Sequence, residues 1–253
     1  MDAETQLGLI LVFGVVGFVV ILLVVPRLTL NKKKYALQRG GAKRLEIKWS
    51  SDKQKIVVTL DTKQIGILEF TTDEEKSRGK TVTLPDGSIL NIKLGLDAEA
   101  SGIKGLTFAP DVTLNGKPVP GSINDPGYKL DVAVKNFYWG GVINIISGVF
   151  VLSAPDLAWY YIFIVIPTGI IAFWVGYNLK RLSRTALSVG IGLAVFSGVT
   201  FLIVFLVTLS VNTGEGICGD LFDLVDTYLF IDGLNKGFKA IDYLENERKE
   251  MTN

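Results

Sequence analysis

Three aspartates, Asp220, Asp223 and Asp226, stand three residues apart in a stretch that is otherwise apolar, with Ile217, Leu221, Phe222, Leu224, Val225, Tyr228, Leu229 and Phe230 around them. Residues three apart are neighbours on a helix surface, so the three carboxylates share one side. If that helix crosses a bilayer, acids in it are costly and mark a proton or cation relay. If it lies along the outer membrane surface, they are its wet face, and the sequence leans to this second placement. Further along, Asp232 and Lys236 are one turn apart and placed to pair.

Little else in the chain has catalytic chemistry to offer. It contains no histidine, which removes the usual general base near neutral pH and the commonest metal ligand. The single cysteine, Cys218, cannot form an intramolecular disulfide and reads as a small buried apolar residue. No phosphate loop, dinucleotide fingerprint, nucleophile elbow or metal-ligand spacing occurs. The acidic run Asp73-Glu74-Glu75 lacks calcium-loop spacing and reads as a solvated loop. No acid, base and nucleophile converge, so the expectation is a non-enzymatic protein with no catalytic, cofactor-binding or metal-ligating residues.

The elements that position these residues follow from hydropathy. The 253 residues are 49% hydrophobic with mean hydropathy +0.39, which is too apolar for an ordinary soluble chain. Leu7 to Val25 is nineteen residues without a charge, long enough to cross about 30 Å of hydrocarbon at about 1.5 Å per residue. Its leading flank is acidic and its trailing flank basic, the signature of an uncleaved anchor with its N-terminus outside. Further spans are expected from Phe137 to Ala154, from Leu157 to about Tyr177 and from Ala186 to Val211. The segment from Ile217 to Leu244 is either a fifth span or a surface-lying amphipathic helix.

Charge supports that orientation. Arg27 to Lys48 holds eight bases and one acid, whereas Val211 to Asn253 holds nine acids and four bases; this asymmetry reports topology, not nucleic-acid binding. Lys32, Lys33 and Lys34, directly after the first span, are candidate contacts for anionic lipid headgroups, although a topology signal already explains them.

Between residues 30 and 135 the pattern changes to short alternating runs. Strands are expected at Leu45–Trp49, Lys55–Leu60, Gln64–Phe70, Thr81–Leu84, Ile89–Leu94, Leu106–Phe108 and Val112–Leu114. Pro85-Asp86-Gly87 and Asn115-Gly116 supply turns. The fold class expected is therefore a membrane protein: an α-helical transmembrane bundle of four or five helices plus a small all-β cytoplasmic domain, an antiparallel sandwich or barrel. The division is 1–29 anchor, 30–135 β-rich domain, 136–211 three transmembrane helices and 212–253 a final amphipathic or spanning helix with a polar tail.

Small residues recur every four positions within the spans: Gly140, Asn144 and Gly148; Thr168, Ala172 and Gly176; Ala186, Gly190, Ala194 and Gly198. Such stripes let helix backbones approach closely, either within one chain or between chains. Pro167 removes an amide that would bond Phe163, which bends the third span.

The segments Thr83-Leu84-Pro85-Asp86-Gly87-Ser88, Leu114-Asn115-Gly116-Lys117-Pro118-Val119-Pro120-Gly121-Ser122, Asp125-Pro126 and Gly141-Val142-Ile143-Asn144-Ile145-Ile146-Ser147-Gly148 together resemble an uncharacterised bacterial membrane-protein family, cyanobacterial members included. The resemblance covers about Leu45 to Leu244. It implies a β domain followed by several hydrophobic helices, the last of them a span, and brings no activity with it. The functional expectation is an integral membrane scaffold or accessory subunit in a bacterial plasma or thylakoid membrane. Its partners are membrane lipids and copies of itself or other membrane subunits, not nucleic acid. A proton or cation pathway through Asp220, Asp223 and Asp226 is the alternative.

Overall fold

The computed structural model describes residues 32–50, 54–94, 110–151, 161–211 and 217–252. The chain divides into two compact units, 1–125 and 126–253. The expected first span, Leu7 to Val25, and the expected strand Leu106–Phe108 lie outside the described residues.

The first unit carries two antiparallel four-stranded sheets. One is a meander of β1 (Lys32–Tyr35), β2 (Leu45–Trp49), β3 (Lys55–Leu60) and β4 (Lys63–Glu69). The other is a meander of β5 (Lys80–Thr83), β6 (Ile89–Lys93), β7 (Asp111–Leu114) and β8 (Lys117–Pro118). Side chains alternate between sheet faces along a strand, so Leu45, Ile47 and Trp49 go inward from β2 while Lys48 stays exposed. Ile56 and Val58 join them from β3, and Val82, Leu90, Ile92 and Val112 from the second sheet, in one shared apolar core.

Turn chemistry sets the register. At Asn115-Gly116 both residues have positive φ, 49° and 81°, the type I′ geometry that matches strand twist. Asp61-Thr62 does the same between β3 and β4, with φ of 49° and 70° and no glycine. There the Arg44 guanidinium grips the Asp61 carboxylate, holding that carboxyl below its usual range.

Two segments of this unit differ from the sequence reading. The acidic run forms a short helix, α1 (Asp73–Arg78), because a capping box satisfies its first turn: Thr72 Oγ1 accepts from the Glu75 amide at 3.2 Å, and Glu75 reaches back to the Thr71 amide at 2.8 Å. The Lys32–Lys34 run becomes edge strand β1, paired against Glu46 to Lys48. Pairing with β2 gives this basic run ladder partners that a linker would lack.

The second unit is helical: α2 (Pro126–Val151), a π-helical turn (Tyr161–Val165) leading into α3 (Ile166–Leu179), α4 (Arg184–Val211) and α5 (Ile217–Thr252). Pro126 opens α2 at a helix start, where a missing N–H costs nothing, so 126–135, assigned above to the β-rich domain, is helical. Each helix packs on its sequence neighbour, and α5 closes the ring against α2. The π-turn stands directly before Pro167, whose missing amide breaks the regular ladder there.

Only one described helix is long and apolar enough to cross a membrane by itself, over Arg184–Ile203, with a shorter apolar helix over Phe163–Leu179. Among the described residues, no other expected span reaches that standard. Helix α2 carries Lys129, Asp131 and Lys135 in its first half, and α5 carries aspartates and lysines along its length.

Candidate functional site

Beside its apolar cluster, the helical unit buries several polar side chains. Asp226, on α5, is only 3% exposed, although the sequence leaned to a solvated face for it. Its Oδ2 accepts from Ser197 Oγ on α4 at 3.0 Å, and Ser197 Oγ also lies 2.9 Å from Thr227 Oγ1. Its Oδ1 rests against α2 at Gly140: a Cβ built there would sit 2.7 Å from that oxygen and 2.5 Å from Phe230 Cε1. Only glycine at 140 leaves room for the carboxylate and the Phe230 ring, which stacks on Phe137 at 5.4 Å.

Asn144, one turn beyond Gly140, is buried and donates from Nδ2 to the Gly140 carbonyl at 3.1 Å. Across from it on α3, Thr168 donates to the Ile164 carbonyl at 2.7 Å, where the π-turn runs into the helix. Asn144, Thr168, Ser197 and Thr200, with Ile164, Val165 and Phe196, line a half-open pocket of about 20 Å³. That volume holds one water-sized particle.

A second polar cluster lies further along α5. Lys236 Nζ pairs with Asp232 Oδ2 at 2.5 Å, with side chains 7% and 14% exposed. Asn136 Nδ2 on α2 donates to the same Asp232 oxygen at 2.7 Å. This i,i+4 pair is the one the spacing suggested, now with a third partner.

The small-residue positions face neighbouring helices of the same chain. A Cβ on Gly190 would meet Leu234 and Phe137, one on Gly176 would strike the Tyr138 ring, and Gly198 lies against Thr227. Ala172, Ala186 and Ala194 are buried in the apolar cluster around Phe137 and Leu179. Backbone meets backbone at Gly141 and Gly169, where a Cβ on either would stand 2.8–2.9 Å from the other's carbonyl oxygen. Gly148 lies in the last turns of α2. Asp220 and Asp223 lie on α5, but their side-chain environments fall outside the described residues.

Of the three lysines after the first span, Lys32 and Lys34 are exposed on one face of β1 and Lys33 is half-buried on the other. Lys34 and Lys48 flank Glu46 at 3.5 and 3.1 Å. The strand therefore splits the triplet between two faces.

Sequence reasoning missed Asn136, Ser197 and the Gly141–Gly169 crossing. A signal for the first was present: Asn136 precedes Gly140 by four residues and extends its stripe by one turn. Ser197 had none, since a lone serine in an apolar helix is ordinary. Among the described residues no three His, Cys, Asp or Glu side chains gather to hold a metal. Compared with protein-family models, with curated proteins and with solved structures, this chain matches none.

Proposed function

We propose that this chain is a non-enzymatic integral membrane scaffold or accessory subunit. Its helical unit is embedded in the bilayer, its β unit lies on the cytoplasmic side, and it assembles through helix packing with copies of itself or with other membrane subunits. One observation carries this reading: the helical unit buries Asp226, Lys236, Asn136 and Asn144 while leaving Phe163 73%, Val195 60%, Ile170 58%, Ile203 57% and Ile231 55% exposed. Apolar surface on three helices around a core that also holds buried polar groups is stable against lipid tails and costly against water. On helix α2, Asn136 and Asn144 are covered by neighbouring helices, whereas Asp131 and Lys135 near its start are exposed.

Two measurements test it. Membranes from cells making the full chain are washed with alkaline carbonate, and the chain is expected to stay in the pellet; release into the supernatant removes the membrane reading. Native mass in mild detergent is expected at a multiple of the 27.6 kDa chain or with stoichiometric companions; a lone chain in every detergent removes the scaffold role.

Burial of Asp226 favours a second reading, a proton or cation pathway along α5. Its test is flux in liposomes: Asp226→Asn should lower flux at unchanged assembly, and equal flux ends the pathway reading.

A further inference from the structure

Along the outward face of α3 the side chains change character in order. Ile170, Trp174 and Tyr177, and then Arg181 just past the helix, follow one another at helical spacing, and all four are exposed. An aliphatic group comes first, then two aromatic rings with a polar edge, then a guanidinium. At helical rise the run from Ile170 to Arg181 covers about 16 Å, close to one leaflet of a hydrocarbon core about 30 Å thick.

The turn between α3 and α4 holds its cations in place. The Lys180, Arg181 and Leu182 amides donate to the Gly176, Asn178 and Leu179 carbonyls at 3.3, 3.0 and 2.9 Å. Leu182 has φ of 61°, a left-handed conformation that is uncommon for a bulky residue. With that reversal Leu182 packs against the apolar cluster, while Lys180 and Arg181 stay exposed. The Arg181 guanidinium lies 4.3 Å from the Tyr177 ring centroid and donates to the Tyr177 hydroxyl, which leaves further N–H groups to donate elsewhere. Arg184, at the start of α4, is matched by Asp242 at 2.9 Å and Glu245 at 2.7 Å. Among the described residues no carboxylate pairs with Lys180 or Arg181.

We infer, resting on the membrane reading proposed above, that the α3–α4 turn is a binding site for an anionic phospholipid. The lipid phosphate sits at Lys180 and Arg181, the glycerol region lies against Trp174 and Tyr177, and an acyl chain runs along Ile170. The order of chemistries along α3 is the order along such a lipid, and Trp and Tyr favour the headgroup level. Charge complementarity selects the anionic lipid, because a zwitterionic one brings its own cation to two bases that are not neutralised. Lys34, a headgroup candidate by sequence, already shares Glu46 with Lys48.

The full-length chain is reconstituted in phosphatidylcholine vesicles with a minor share of phosphatidylglycerol. Bromine is placed on the acyl chains either of that lipid or of an equal share of the phosphatidylcholine. Bromine quenches tryptophan on contact, and the Trp174 signal is the difference from a matching Trp174→Phe chain. Phosphatidylglycerol is expected to occupy the site about five-fold more strongly than phosphatidylcholine, the preference that one base near anionic headgroups supplies. Lys180→Gln with Arg181→Gln is expected to fall to parity. The charge-preserving Arg181→Lys, and Lys32→Gln with Lys34→Gln on β1, are expected to keep most of the preference. Equal quenching by the two lipids, in a chain that floats with its vesicles on a density gradient, overturns the site and leaves the membrane reading standing. A chain that does not float with them overturns both. A preference that survives Lys180→Gln with Arg181→Gln, or that is lost in Lys32→Gln with Lys34→Gln, also overturns the site, since the headgroup contact then lies elsewhere.

Discussion

In the β unit, Leu45, Ile47, Ile56 and Leu90 are inaccessible while Lys48, Lys63 and Asp61 face outward; in the helical unit, Asp226 and Lys236 are inaccessible while Val195, Val199 and Ile203 face outward. Both units nonetheless pack an apolar cluster, around Ile47 and Ile56 in one and around Phe137 and Leu179 in the other. They differ in what covers that cluster and where charge is kept. Water rewards the first arrangement, because burying apolar surface is the main favourable term and exposed charge stays solvated. The second makes sense where the surroundings are as apolar as leucine, since polar groups then gain by meeting each other inside.

The largest expected effect breaks the comparison at its most unusual point. Asp232→Leu leaves Lys236 buried without its partner and is expected to cost about 3–5 kcal/mol, read as lost resistance to denaturant. The double variant Asp232→Leu with Lys236→Leu is expected to recover most of that loss, because two apolar side chains need no pairing. A double variant as unstable as the single one would mean the pair is not coupled.

A smaller deletion sharpens the contrast. Ile56→Val trims a fully buried core side chain and is expected to cost about 0.5–1.5 kcal/mol. Ile203→Val removes the same methylene from a side chain that is 57% exposed and is expected to fall within about 0.5 kcal/mol of the unaltered chain. Equal costs would mean the outward face of α4 is covered by protein.

The smallest effect concerns pH and only the β unit. The Thr71 amide and hydroxyl, with help from Lys80, hold the Glu75 carboxyl down to about 2 from its ordinary 4.5. A carboxyl depressed in the folded state adds stability that is fully present above its unfolded value and is lost as pH falls through its folded one. The unaltered chain is therefore expected to lose stability between about pH 4.5 and pH 2 more steeply than Glu75→Gln. Acid titration of β-sheet circular dichroism checks this, and parallel curves would exclude Glu75 as a contributor.

Strand positions were largely legible because alternation with period two marks a half-buried sheet directly, as Leu45-Glu46-Ile47-Lys48-Trp49 does. The charged segments were not. Lys32-Lys33-Lys34 carries no apolar alternation, and it joins a sheet because β2 offers a ladder of backbone groups to it. Asp73-Glu74-Glu75 was legible in hindsight, since Thr72 and Glu75 have capping-box spacing.

The sequence by itself determined the β hairpins and the i,i+4 pairing of Asp232 with Lys236, because each depends on local spacing or backbone chemistry. Only the tertiary structure decided that Asp226 meets Ser197 across twenty-nine residues and that Gly140 makes room for its carboxylate. The same holds for Asn136 joining an ion pair ninety-six residues away. These contacts depend on which helix lies beside which and on their rotation, and small-residue stripes allow close approach without naming the partner.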